Sequence, residues 1–400
     1  MKIHIVPKTI YSIIWALVLI TPVYMVEFAV LFRISRNIVL YTLTFIIIIL
    51  FVLASFSGYH FQNYKIVLLI GILESILFIL SIGQINAVDY SLVQFGFYFL
   101  VPFFLILQKC DFEKILKYLI YFSFPLFLGV NQVLVITNYG LHQADMYNTY
   151  AFLPCIVAAF SHFFYYREKS NLLIKIGYLL NIYYLFRVSL TAVRGFWLVI
   201  IIFFGLKMIH YMQIKTTKKS YRIILLLGLL SLILIVANLG QVLVSIISIL
   251  ERSINIEIGI LDKMSKLIVE GDIWNGRIEI WKISLECFFD NPICGQGING
   301  IQLWTKGAIE YPHNFILQLL NDGGIIFGLL PIYVIIYGII LFITNGIRRN
   351  TDIINFFIFI ISISVPVAML SGNVWQTTSL WLAIFFCAKY IIGTKGEQNE

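Results

Sequence analysis

His313 stands in the stretch EYPHNFILQLLNDGG, residues 310–324, where a proline precedes it and a leucine-rich run follows. Proline suits the first position of a helix, because the N–H it lacks would have no partner there. A helix begun by Pro312 puts His313 in the first turn, at the positive end of the helix dipole. That position favours the neutral imidazole and an anion nearby. A neutral imidazole can take a proton from a hydroxyl. The position equally suits a histidine that only bonds a backbone carbonyl where a helix starts, and spacing does not separate the two. Behind it Asn314, Gln318 and Asn321 fall on one polar stripe, and Asp322, Gly323 and Gly324 end the helix.

Arginines are the other candidates. The segment NGRIEIWKISLECFFDNP (275–292) reads as a helix with Arg277, Trp281, Ser284 and Phe288 on one face. Arg277 and Trp281 are spaced for a cation–π contact, or the helix only anchors itself at lipid headgroups through them. Arg187 and Arg194 flank a break between two apolar stretches. Charges at membrane depth face a cavity or partner, or they snorkel to the interface. Glu27 and Glu74, inside apolar stretches, can pair with an arginine. The run GQGING at 295–300 has the G-x-G-x-x-G spacing, but no strand precedes it, so a dinucleotide fold is refused. It reads as a tight turn after Pro292 whose backbone N–H groups could cradle an anion.

The elements that must position these groups are membrane helices. The chain is 60% hydrophobic and 12% charged, with mean hydropathy +0.93, about half the charge of a soluble domain. Its net charge of +8 therefore marks loop orientation and is no sign of nucleic acid. The expected fold class is an all-α polytopic membrane protein with 12 transmembrane helices and both termini cytoplasmic. The expected spans are 10–32, 38–56, 66–86, 91–108, 116–137, 149–166, 172–190, 193–210, 222–240, 323–344, 353–371 and 374–393. Lys114, Lys117, Arg167, Lys169, Lys215, Lys218, Lys219, Arg222, Arg348 and Arg349 then lie inside, while Arg33 and Arg36 break the rule. Residues 1–239 form the first nine helices, 240–322 a large helical external loop, and 323–400 the last three helices. The first apolar stretch is too long for a cleavable signal and other spans follow it. Cys110, Cys155, Cys287, Cys294 and Cys387 have no metal spacing. Cys287 and Cys294 share the loop and read as two thiols, or as a disulfide on an oxidising face.

These features resemble the O-antigen ligase and polymerase superfamily of bacterial envelope enzymes. The resemblance rests on RIEIWKISLECFFDNPICGQGINGIQL, on PHNFILQLLNDGGIIFGLL, and on a VRGFW arginine that opens a middle span. It implies an external-facing cavity that takes undecaprenyl-pyrophosphate-linked glycans. By motif position His313 is then the catalytic base, and Arg277 and Arg194 hold the pyrophosphate. Val193 stands where serine often precedes that arginine, which loosens the Arg194 assignment. Arg187 is a second cation without a motif. Asn148, in MYNTY, matches an asparagine element at the outer start of a span; with Trp281, Asn314 and Gln318 it completes the substrate-binding candidates.

The residue types suit the implied chemistry. Pyrophosphate is already a good leaving group, so its departure needs cations rather than a general acid. Guanidinium forks match phosphate oxygens. Direct attack by a sugar hydroxyl inverts the anomeric centre. The first external loop, RISRN, has no acid, so no metal and no cofactor are expected. The expected function is a polysaccharide polymerase, of O-antigen or capsule type, in the bacterial cytoplasmic (inner) membrane with its site facing the exterior. Its partners are lipid-linked glycan donor and acceptor, membrane lipid and a chain-length regulator protein, without nucleic acid. A ligase that moves finished glycan to lipid A–core is the alternative in the same superfamily; a polysaccharide flippase or transporter is the alternative of another class.

Overall fold

The computed structural model describes residues 7–55, 64–85, 92–129, 150–189, 194–215, 276–345 and 351–392, and among them every regular element is helical. Among the described residues six helices are long and apolar enough to cross a membrane. These are α1 (Pro7–Phe32), α2 (Arg36–Ser55), α3 (Lys65–Ile85), α8 (Arg194–Lys215), α11 (Phe315–Asn345) and α12 (Thr351–Leu370). Between them run α4 (Leu92–Leu107), α5 (Phe112–Phe122), α6 (Leu153–Tyr166) and α7 (Leu172–Ser189). The expected external loop contributes α9 (Arg277–Asp290) and α10 (Gly300–Trp304). The last apolar helix is α13 (Thr378–Ile392). The expected ninth span, and the first part of the expected external loop, lie outside the described residues.

Helix α12 shows where the core sits. Every residue from Ile354 to Ser364 is buried, the pattern of a helix enclosed on all sides. It packs against α8, α13 and α6. At the periphery α2 and α3 expose Phe45, Ile48, Val52, Leu53, Ile72, Ile79 and Leu80. Apolar surface on that scale needs lipid as its solvent.

The fifth expected span is corrected. Among the described residues α5 stops at Phe122 and a single 3₁₀ turn, Pro125–Leu128, follows; the rest of the expected span, from 130, lies outside them. Phe124 keeps helical backbone and its N–H bonds the Tyr121 carbonyl at 3.2 Å, but Pro125 has no N–H to continue the ladder. Helix α5 is also amphipathic: Phe112, Ile115, Leu116, Leu119 and Ile120 are buried, while Glu113 binds Lys117 at 2.7 Å and Lys169 at 2.8 Å. Asp111 caps its start by accepting from the Lys114 N–H at 3.2 Å.

Two ends of the bundle can be told apart. One carries the Glu113 cluster, the Tyr166 Oη–Asp352 bond of 2.6 Å and the Lys389 ammonium on the Gln108 carbonyl at 3.2 Å. The other carries the α1–α2 turn, the starts of α6, α8 and α13, the end of α12, and α9 with α10. Glu27 and Glu74 are buried between helices. Neither meets an arginine among the described residues.

Candidate active site

The site is built where the external segment folds back on α11. Gly276, at φ 74°, turns the chain into α9, and Arg277 is that helix's first residue. From α9 the chain returns through residues 291–299, which lie along the kink of α11. Gly324, at φ 59° and ψ −155°, makes that kink. A side chain there would strike the Ile293 carbonyl, and one on Gly295 would strike the Asp322 carbonyl. The N–H groups of Gln296 and Gly297 donate to the Asn321 and Asp322 carbonyls at 2.7 and 2.9 Å. Those of Ile325 and Ile326 donate back to Pro292 and Ile293 at 2.9 and 3.1 Å.

This pairing corrects the reading of GQGING as an anion cradle. Gln296 and Gly297 are bound as above, the Ile298 N–H goes to Ser81 Oγ at 3.0 Å, and the Gly300 N–H goes to Asp322 Oδ1 at 3.1 Å. A motif whose donors are all engaged has none left for a phosphate. Asp322 does more than end a helix. Its Oδ2 also accepts from the Trp375 indole at 2.7 Å, so one buried carboxylate ties together the glycine turn, the α11 kink and the segment before α13.

His313 is held from both sides. The Trp281 indole donates to the Pro312 carbonyl at 3.1 Å. After His313, the Asn314 Oδ1 accepts from the Ile316 and Leu317 N–H groups at 3.0 and 3.3 Å. Asn314 is therefore the N-cap and the helix begins at Phe315. This corrects the helix start: an asparagine oxygen that satisfies two free donors outcompetes a proline that satisfies none. His313 precedes the helix in left-handed backbone, φ 55°, a conformation that costs a residue with a Cβ ~1 kcal/mol.

Its electrostatics are those of a base held neutral. Burial, and secondly the Arg277 charge, lower the His313 pKa to about 4. The helix dipole invoked from sequence is thus not the leading cause. Nδ1 is buried and has no hydrogen-bond partner among the described residues, so no backbone carbonyl among them occupies it. Burial also lowers the proton affinity of Arg277, which the nearby Tyr150 and Tyr311 hydroxyls partly offset. The guanidinium remains charged at any working pH.

Three residues that sequence reasoning missed complete the frame. The Tyr311 ring lies 4.4 Å from the His313 ring, and its hydroxyl donates to the Ser371 carbonyl at 3.0 Å. The Tyr150 hydroxyl meets Ser371 Oγ at 3.3 Å and also abuts Gly195, where a Cβ would collide with it. Gly195 follows Arg194, so the start of α8 enters the site through its backbone. The polar interruption SGNVWQTTS, 371–379, between two apolar helices was the available signal for Ser371 and Trp375.

The expected site residues divide accordingly. His313 and Arg277 come together, Trp281 holds their segment, and Arg194 opens the helix beside Tyr150. Arg187 is half-buried in the last turn of α7, at the same end of the bundle. Arg277 makes no cation–π contact with Trp281 among the described residues, whose indole is turned to Pro312. Asn314 spends its oxygen on the cap. Gln318 is corrected from a substrate ligand to a clamp. It is 1% exposed, donates to Asn373 Oδ1 at 2.9 Å and accepts from the Val374 N–H at 3.0 Å. Asn148 lies outside the described residues. Cys287 is buried, Cys294 exposed, and both are free thiols.

No curated protein matches the chain. Residues 179–333 match the family model described as O-antigen ligase. That segment, which runs from α7 to the middle of α11 and contains Arg187, Arg194, Arg277 and His313, is similar to the O-antigen ligase family.

Proposed function

We propose that the protein is a polysaccharide polymerase, an inverting glycosyltransferase that joins undecaprenyl-pyrophosphate-linked repeat units at the outer face of the cytoplasmic membrane. The observation that carries this reading is the His313 imidazole, neutral at working pH and with an unpartnered buried Nδ1, beside the charge of Arg277. In the proposed step the acceptor hydroxyl oxygen bonds to the anomeric carbon of the donor. The bond from that carbon to the pyrophosphate oxygen breaks, and the electron pair leaves with the pyrophosphate. The hydroxyl proton passes to the imidazole. Arg277, with Arg194 and Arg187 as further cations, stabilises the charge that grows on the leaving group. No metal is needed for that departure, and activity is expected to persist in excess EDTA. The basic end of the bundle, with Lys114, Lys117 and Lys169, is assigned to the cytoplasm, which leaves the His313 end outside.

A ligase that passes finished glycan to lipid A–core would use the same chemistry, and the description of the matched family favours it. A deletion strain complemented with His313→Ala or Arg277→Ala at normal protein levels decides. Single repeats capped on core, without long polymer, support the polymerase. Absence of glycan on core, with long lipid-linked chains accumulating, assigns the ligase. Full-length polymer on core from the His313→Ala strain removes the base and favours a transporter.

A further inference from the structure

Beside the histidine lies a cavity of about 450 Å³ between α1, α12 and the segment that leads into α13, a volume in the range of small-molecule sites. Its α1 and α12 side is apolar, with Pro22, Met25 and Val367. Hydroxyl groups line the cavity as well. Thr378 is 3% exposed and its Oγ1 has no hydrogen-bond partner among the described residues. Among the described residues the Tyr98 hydroxyl reaches only the Met25 thioether, at 4.0 Å, and a thioether is a weak acceptor. Arg36 and Glu310, both exposed, also line the cavity. Ser371 lines it too, and the Ser371 carbonyl accepts from Tyr311, whose ring lies against His313. The cavity and the histidine therefore share one wall.

The lining selects among ligands. A polyprenyl chain would fill the space but leave the Thr378 hydroxyl unpaired and the Tyr98 hydroxyl with only a weak thioether acceptor, which is costly. A pyrophosphate would meet the Glu310 carboxylate as well as the Arg36 guanidinium, so the pair gives an anion no net attraction. A neutral sugar fits both kinds of lining group, with C–H faces for the apolar side chains and hydroxyls that donate and accept for Thr378 and Tyr98. Resting on the glycosyl-transfer reading above, we propose that this cavity binds an uncharged glycosyl unit of the acceptor, with Thr378 and Tyr98 as its hydrogen-bonding partners.

The test is protection of an introduced thiol in native membranes. Gln376, an exposed lining residue, is changed to cysteine in a Cys294→Ser background and labelled with an impermeant maleimide. The probes are the lipid-free repeat oligosaccharide released by mild acid from the strain's own lipid-linked glycan, and geranylgeranyl pyrophosphate. The oligosaccharide at about ten times its half-protecting concentration is expected to slow labelling about tenfold. Thr378→Val is expected to raise the half-protecting concentration about tenfold; Tyr98→Phe gives the same reading if the first variant does not reach the membrane. Protection by geranylgeranyl pyrophosphate alone, or by neither probe, overturns the proposal, as does protection that both hydroxyl deletions leave unchanged. Protection should survive His313→Ala. If His313→Ala abolishes polymer while the oligosaccharide protects nothing, the cavity assignment fails and the transferase reading stands. If that variant makes normal polymer, the transferase reading fails whatever the labelling result.

Discussion

The Trp281 indole N–H donates to the Pro312 carbonyl at 3.1 Å. Arg277 lies one helical turn before Trp281 on α9, so this bond sets the spacing between a cation and the histidine that follows Pro312. Trp281→Phe keeps most of the ring and deletes the donor. A small displacement of a reacting group is enough to cost rate, so kcat is expected to fall about tenfold with KM little changed. Steady-state kinetics on the purified variant at wild-type protein levels check this. A change in KM alone would make Trp281 a substrate contact instead.

The pH profile follows from the two causes that act on His313. With its pKa lowered to about 4 by burial and by Arg277, the imidazole of the free protein is deprotonated above that pH and protonated below it. The acid limb of kcat/KM, which reports the free enzyme, is therefore expected near pH 4. Bound pyrophosphate adds negative charge beside Arg277 and removes one of the two causes, so the limb of kcat should lie higher. Rate measurements from pH 3.5 to 8 separate the two limbs. A kcat/KM limb at pH 6.5 or above would mean that a solvated group, not this histidine, controls the rate.

Asp322 accepts N–H donors on both oxygens, from Gly300 and from Trp375. Asn is its isostere, but its NH₂ must then face one of those donors. The unmatched pair is expected to cost about 1–3 kcal/mol, seen as earlier thermal unfolding in detergent and as lost polymer. Gly324→Ala should be at least as damaging, because its φ of 59° disfavours a Cβ and the Ile293 carbonyl occupies the space. An unfolding midpoint unchanged in both variants would show that the kink is not held by these contacts.

What the sequence made legible was what local pattern encodes. Apolar runs located α1, α2, α3, α8, α11 and α12, because a bilayer rewards length and hydropathy directly. Face periodicity located α9 within 275–292, which folds as Arg277–Asp290. Local pattern misjudged the histidine: Pro312 looked like a helix start, but the side-chain cap of Asn314 overrode it. It also misjudged Gln318 and the glycine turn, whose partners Asn373, Asn321 and Asp322 are reached only through tertiary contact. Tyr150 and Ser371 meet across 221 positions, and Tyr311 and Ser371 across 60. No spacing rule spans such separations, so the frame of the site became visible only once the chain was folded.

Arg277 offers the sharpest separation of charge from geometry. It sits half-buried at the first position of α9, where its charge reaches the His313 imidazole. Lysine keeps that charge but replaces a planar fork of donors with a single ammonium. If Arg277 only tunes the histidine, Arg277→Lys should retain both activity and the acid limb. If it grips departing pyrophosphate through paired bonds, Arg277→Lys should lose about ten- to a hundredfold in kcat while the acid limb of kcat/KM stays near pH 4. Arg277→Ala should lose the same rate or more, and its acid limb should rise because the repelling charge is gone. The proposed mechanism requires the second pattern. Near-normal turnover in Arg277→Lys would leave the leaving group to Arg194 and Arg187.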